Sequence, residues 1–376
     1  MATSARNLIE KLPKPIRKRA EAVRVMAALG VFSDPVKLMK QWRHRVEFQR
    51  LQKALFYHRY ATALLIAHEV GVFEALAEKP LTAEECAADL KIAARAAEAL
   101  LRILESEGAV VRHGRRYGLS PFGEAYLSPT SPFTVSPMLD LMAAQASAVA
   151  EVPRCMKNGR QPKVLDIFSS RGRYKAFLSS VNAFLDLAGR DLLEQLELPQ
   201  VSDFIVGSMG VSMSALILER FPKSRVTYGC LEHLVREIPR LRDEYGVPPE
   251  RVAGMHAHGG DPSADRWGDE AYDLVFLTKK MILEPEQRIG EKFAAKAFEV
   301  LRPGGAVVLW ETIHGDFRPT PLPRAMEAVM DLIASPTGLV NTENGVRSTL
   351  GAIGYRDIEI VPCLGGQTTF VVARKP

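Results

Sequence analysis

The stretch Val300-Leu301-Arg302-Pro303-Gly304-Gly305-Ala306-Val307-Val308-Leu309-Trp310 decides the fold of this 376-residue chain. A helical pattern over Pro285–Val300 meets a Pro-Gly-Gly stop and turns at once into an apolar, strand-like run. The alternation extends both ways. Strands are expected at Ser202–Val206, Arg225–Tyr228, Tyr272–Leu277, Ala306–Trp310, Asp357–Pro362 and Thr368–Val372. Helices are expected between them at Met213–Phe221, Leu231–Glu244, Pro285–Val300 and Leu322–Ile333. Two more, Tyr174–Phe184 and Leu187–Gln195, precede the first strand. Short β-rich runs alternating with helices of ten to fifteen residues mean a parallel sheet wound on both faces. Gly365-Gly366 splits the last two strands into a hairpin. Ligands of such sheets sit at the carboxyl ends of the strands, here just after Val206, Tyr228, Leu277 and Trp310.

Upstream the periodicity is helical. Tyr57–Val70 ends at Gly71, Thr82 and Glu85 form a capping box opening Ala83–Leu90, and Ala93–Glu107 stops at Gly108. Ala109–Arg112 and Arg116–Leu119 read as a hairpin, and Ser120-Pro121 opens a helix through Tyr126. Three helices and a hairpin make a winged-helix pattern. Its third helix offers only Arg95 and Arg102 among Ala, Leu, Ile and Glu, too few polar groups to read base edges. His113, Arg115 and Arg116 on the wing could touch phosphates, but no nucleic-acid partner is expected. Pro129, Pro132, Pro137, Pro153 and Pro162 mark a linker interrupted by one helix near Met138–Ala150. The chain thus reads as a helical arm over 1–55, a winged-helix domain over 56–150 and an α/β domain over 165–376.

Residues 1–55 hold thirteen Lys or Arg against four Asp or Glu, a net +9, so the rest carries about −4 of the overall +5. Such an arm suits a second subunit, a partner or a membrane surface. At 47% apolar and 25% charged residues the composition is that of a globular enzyme. The best apolar stretch, Ala61–Val72, is broken by His68 and Glu69 and is too short to span a bilayer. Cys86, Cys155, Cys230 and Cys363 stand singly, which excludes a zinc ribbon and favours the cytoplasm. His256 and His258 alternate, but with no third ligand evident no metal is expected.

A winged-helix domain followed by this sheet and the Leu301–Gly305 turn resembles the dimeric small-molecule O-methyltransferases that use S-adenosylmethionine, over about residues 50–376. The resemblance implies a seven-stranded doubly wound, Rossmann-like sheet, a winged-helix dimerisation domain, a homodimer and a small-molecule substrate, often of secondary metabolism. The family's glycine-rich first turn falls at Ile205-Val206-Gly207-Ser208-Met209-Gly210-Val211. Ile205 stands at its acid position, and of the four glycines only Gly207 is in register, the others falling at Ser208, Met209 and Val211, with Gly210 available in a shifted register. Met209 and Val211 are expected to crowd the space that glycines leave. The ribose-holding acid after the second strand falls at Cys230, with Glu232 two residues on. Asp261 of Gly260-Asp261 matches the adenine-binding Asp, and Lys279 of Lys279-Lys280 matches a basic pair after the fourth strand.

The family's catalytic His falls at Leu283, which cannot take a proton, and a later Glu that orients it falls at Val340. The acid after the fifth strand is kept as Glu311, and Glu284 and His314 are nearby acid–base groups. Together these differences predict a methyltransferase-like homodimer without His-based O-methyl transfer. It would bind or convert a small apolar or aromatic metabolite by cyclisation, elimination or isomerisation. One alternative is an active S-adenosylmethionine-dependent C-, N- or O-methyltransferase with a divergent cofactor loop, and another is a non-enzymatic winged-helix regulator.

Overall fold

The computed structural model describes residues 35–148, 153, 154, 157, 171–198, 200–232, 235–258, 267–278, 289–316 and 341–376. The chain divides into two compact units between Ala63 and Leu64. Helix α1 (Pro35–Glu69) runs across that division, so Pro35–Tyr60 and Tyr57–Val70, read separately in the sequence, are one element. Phe48, Leu51, Leu55, Phe56 and Tyr57 are exposed along it. No single described helix is long and apolar enough to cross a membrane, although the bent pair Val46–Glu69 and Val72–Glu78 passes a test of length and composition.

After Gly71, which turns in the left-handed region, come α2 (Val72–Glu78), α3 (Ala83–Leu90) and α4 (Ala94–Ser106). The capping box forms as expected: Thr82 Oγ1 accepts from Glu85 N at 3.2 Å, and Glu85 Oε2 accepts from Thr82 N at 2.8 Å. Strands β1 (Val110–His113) and β2 (Arg116–Leu119) pair antiparallel, then α5 (Pro121–Tyr126) opens on the Ser120 cap. Arg116 returns to Glu85 with two hydrogen bonds of 2.8 Å, and Arg115 lies 3.6 Å from Glu84. Arg115 and Arg116 are therefore engaged by acids of α3, while Arg112 lies 3.4 Å from Glu105 of α4. Helix α6 (Ser136–Ala148) occupies the linker. His68, at the end of α1, pairs with Asp140 on α6 at 2.7 Å.

Helix α7 (Arg171–Gln195) is one rod where the sequence suggested two. Its interior Gly189 is not a break but a contact: a Cβ there would stand 2.2 Å from Met213 Sδ, so only glycine lets the next helix approach. Then follow β3 (Asp203–Gly207), a 3₁₀ turn (Ser208–Gly210), α8 (Val211–Arg220) and β4 (Arg225–Leu231). Leu231 ends a strand rather than opening a helix. Among the described residues α9 spans Ile238–Glu244, with Pro239, which lacks an N–H, in its first turn.

β5 (Val252–His258) was not expected; its Ala, Gly, Met and His residues lack the β-branched signal. β6 (Tyr272–Thr278), α10 (Ile289–Val300) and β7 (Leu301–Glu311) complete the unit that decided the fold, with Gly304 left-handed at the turn. β8 (Ile313–His314) pairs with β9 (Asn341–Thr342), which leads into α11 (Glu343–Ile353), a helix the sequence reading missed. β10 (Arg356–Cys363) and β11 (Thr368–Arg374) form the hairpin around Gly365-Gly366. The helix expected at Leu322–Ile333 and the start of the one at Pro285 lie outside the described residues.

The main sheet has seven strands in the order β10-β11-β7-β6-β3-β4-β5. β7, β6, β3, β4 and β5 are parallel, and the β11 and β10 edge is antiparallel. This is the doubly wound sheet expected. One face packs α7, α8 and α9 through Phe204, Val206, Leu274, Phe276, Val308 and Trp310. The other packs α10 and α11 through Ile205, Val275, Leu277, Val307 and Leu309.

Candidate functional site at the strand carboxyl ends

β3 ends on Gly207, which is extended at φ −60° and ψ 145°. Gly210 caps α8 at φ −118°, so neither glycine uses left-handed freedom. Their roles differ. A Cβ on Gly210 would press the Phe276 ring at 2.8 Å, so Gly210 is there for packing. Among the described residues, a Cβ on Gly207 would meet only Phe276 O, at an ordinary contact distance of 3.6 Å. Val211 does not crowd the turn: it is fully buried in the core under α7 and α8. Met209 is partly buried against the same core. Ile205, at the acid position of the turn, is wholly committed to the opposite face, among Trp267, Val275 and Leu309.

α7 supplies the cap that α8 lacks from its own sequence. Asn182 is fully buried, donates to Leu178 O at 2.9 Å and accepts from Ser212 N at 2.8 Å through Oδ1. Ser214 Oγ lies 2.8 Å from the Tyr228 hydroxyl, and burial pushes that phenol up to about 12. Ser212 Oγ and Thr278 Oγ1, by contrast, are buried with no hydrogen-bond partner among the described residues. Phe184 of α7 stacks on Trp310 at 5.6 Å, and Trp310 Nε1 donates to Thr368 Oγ1 at 2.7 Å.

Cys230 is 0% exposed near the end of β4, and burial pushes its thiol up to about 11. It is neutral at pH 7 and cannot accept two hydrogen bonds as a carboxylate does. Glu232 is exposed just beyond β4. Glu311 ends β7 at 1% exposure, its backbone carbonyl accepting from Thr369 Oγ1. Asn341 Nδ2 approaches Glu311 Oε2 at 3.5 Å. Asn341 went unnoticed in the sequence, because only the pairing of β8 with β9 brings it there. His314 is on β8, half-buried, with Thr342 as its register partner.

Asp261, Lys279, Leu283, Glu284 and Val340 lie outside the described residues. The structure thus brings Gly207, Gly210, Cys230, Glu232 and Glu311 to the carboxyl edge of one sheet. His256 is engaged elsewhere, its Nε2 3.3 Å from the Tyr272 hydroxyl. Among the described residues no group of three or more His, Cys, Asp and Glu could hold a metal. An open groove of about 800 Å³ lies away from this edge. It runs between Pro129–Pro137, the C-terminal half of α8 and residues 244–251. No unpaired buried polar atom lines it, so it is not where the chemistry is placed.

A helical region followed by a seven-stranded sheet in which one strand, β11, is reversed between β10 and β7 defines a methyltransferase-type architecture, and the comparisons agree. Residues 52–129 match the family model described as the O-methyltransferase dimerisation domain. Acetylserotonin O-methyltransferase of Gallus gallus is 24% identical over 329 residues, covering 79% of this chain and 89% of its own. The tetracenomycin polyketide synthesis 8-O-methyl transferase of Streptomyces glaucescens is 24% identical over 335 residues, covering 84% and 93%. Human N-acetylserotonin methyltransferase, solved in complex with S-adenosylmethionine, superposes with a TM-score of 0.75 at 20% identity, covering 88% and 97%. The chain is thus similar to O-methyltransferases in its sequence, through the dimerisation-domain match and the 24%-identical relatives, and in its fold, as the sequence reading expected.

Proposed function

We propose that this protein is a homodimeric, methyltransferase-like small-molecule protein of the cytoplasm that does not carry out His-assisted O-methyl transfer. It binds or converts a small apolar or aromatic metabolite at the carboxyl edge of its sheet, by cyclisation, elimination or isomerisation. The dimerisation domain over 52–129 and the exposed Phe48, Leu51, Leu55, Phe56 and Tyr57 of α1 support the homodimer. The buried, reduced Cys86, Cys230 and Cys363 support the compartment.

The observation that carries the reading is Cys230. A nucleoside cofactor held through both ribose hydroxyls needs a carboxylate at the end of β4. The residue there is a fully buried neutral thiol, and the acid two residues on, Glu232, is exposed. On that ground the residues present do not fit the cofactor in the family's manner, and no step is derived through it. What the edge does offer is two hydroxyls, an indole and a buried Glu311, suited to orienting a neutral molecule and shielding it from water.

A second reading, an active methyltransferase with a divergent cofactor loop, is favoured by Gly207, the glycine kept in register at the end of β3. One titration separates them. Calorimetry with S-adenosylmethionine and S-adenosylhomocysteine is expected to show no binding at millimolar ligand. Micromolar binding would overturn the first reading and establish the second.

A further inference from the structure

Ser212 and Thr278 are the unexplained residues of the carboxyl edge. Both are fully buried, and neither hydroxyl has a partner among the described residues. Buried hydroxyls are almost always paired, so each such exception requires a cause. Neither residue is placed to satisfy itself. Ser212 is only the second residue of α8, preceded by a 3₁₀ turn, whereas Ser214 one half-turn on finds both Val211 O and Tyr228. Thr278 is the last residue of β6.

The two hydroxyls flank one turn. In the β3–β6 register Val206 pairs with Phe276, so Thr278 stands level with residue 208, where the chain turns toward α8. Alternation along β6 puts Thr278 on the face of Leu274 and Phe276, the face covered by α7 and α8. Ser212 is the second residue of α8, whose Val211 and Met213 pack on that same face, and a Cβ on the preceding Gly210 would meet the Phe276 ring at 2.8 Å. Asn182 already holds the Ser212 N–H, so this helix end has one amide fewer to offer an anion. The described surroundings are Met209, Phe184 and Trp310, with Cys230 neutral.

We propose that Ser212 and Thr278 form a polar clamp for the single carbonyl or hydroxyl group of an otherwise apolar or aromatic, uncharged ligand. The proposal rests on the non-nucleoside reading above and names the ligand class of that site. A hydroxyl both donates and accepts, so the pair can hold either a carbonyl or an alcohol, while an ionised group would enter without a described counter-charge. Lys279 and Lys280 follow Thr278 directly and lie outside the described residues, which makes a charged analogue a necessary arm of the test.

The test is a fluorescence titration of the full-length protein at pH 7 with 2-naphthol, 2-naphthoate and naphthalene, beside the same protein carrying Ser212→Ala or Thr278→Val. The expected result is 2-naphthol binding about tenfold tighter than either analogue, which corresponds to one good hydrogen-bonded group. Each substitution should weaken 2-naphthol about five- to tenfold and leave naphthalene unchanged. Thr278→Val is isosteric, and an unchanged or raised melting temperature certifies its fold. Equal or tighter binding of 2-naphthoate overturns the proposal, as does 2-naphthol binding that ignores both substitutions, or no binding of 2-naphthol at all. S-adenosylhomocysteine is titrated in parallel. If it fails to bind while 2-naphthol also fails, the clamp falls and the non-nucleoside reading stands. If it binds and both substitutions weaken it, the hydroxyls serve a nucleoside and both fall.

Discussion

The two ends of the same parallel strands are built on opposite terms. At the amino ends, Asp273 of β6 accepts from Ser202 N at 2.7 Å, Asp203 N at 3.0 Å and Arg302 of β7 at 2.7 Å. Asp203 of β3 in turn holds Arg225 of β4 at 2.8 Å and Arg302 at 3.3 Å. Burial alone would raise the Asp273 carboxyl, but the hydrogen bonds from Arg302 and the two amides outweigh it and the net shift is downward. At the carboxyl ends, the same strands lead to a neutral thiol and two unpaired hydroxyls. Neighbouring strands stitched by charge at one end and left with unmet hydrogen bonds at the other show a division of labour: one end holds the sheet together, and the other waits for a partner.

The sharpest way to break that comparison is Cys230→Asp. A carboxylate in this fully buried position has no described cation to meet it, so stability should fall by about 3 kcal/mol or more, read from urea unfolding. If the thiol merely blocks a nucleoside site, the same variant will gain micromolar affinity for S-adenosylhomocysteine and recover stability when it is added. That outcome would make the carboxyl end a damaged cofactor site rather than a neutral one. Next in size is Asp273→Asn at the other end. Losing acceptor capacity for two amides and Arg302 should cost about 1–2 kcal/mol at pH 7. Because the folded carboxyl is shifted downward, its contribution is present above the ordinary carboxylate range and is lost as pH falls through its folded value. Asp273→Asn should therefore flatten the acid limb of the stability profile; an unchanged limb would mean the ion network contributes nothing.

The sequence made the architecture legible because periodicity and stops are local signals. Thr82 with Glu85, Ser120-Pro121 and Gly365-Gly366 each act over a few residues and became the cap or turn expected, whereas Pro303-Gly304-Gly305 lies inside β7 at a register irregularity, the helix having ended at Val300. The break expected between Phe184 and Leu187 is absent, and the contact of Gly189 with Met213 on another helix is one that no local pattern carries. β5 was missed for want of β-branched residues, although α11 had a readable signal in Thr342, which caps Gly345 N, and in Gly354. At the site, the replacement of an acid by Cys230 could be read directly, but its complete burial could not. Ser212 and Thr278 gave no signal at all. They are ordinary residues whose meaning lies in lacking a partner, and that is a property of packing rather than of sequence.

The smallest predicted effect bears most directly on what the carboxyl end is for. Thr278→Val removes a hydroxyl that nothing described engages and keeps the shape of the side chain. At a position evolved only for folding, such a change would disturb little or would harm a neglected bond. At a position kept for a ligand, the unliganded protein should gain stability, by about 1 kcal/mol, because a buried desolvated group has been replaced by methyl. The matching change at the amino end cannot do this, since every oxygen lost from Asp273 leaves a donor unpaired. Thermal unfolding of Thr278→Val beside Asp273→Asn therefore measures the contrast itself: opposite signs support a partner-awaiting edge. A loss of stability in both would mean that Thr278 is as much a structural residue as Asp273.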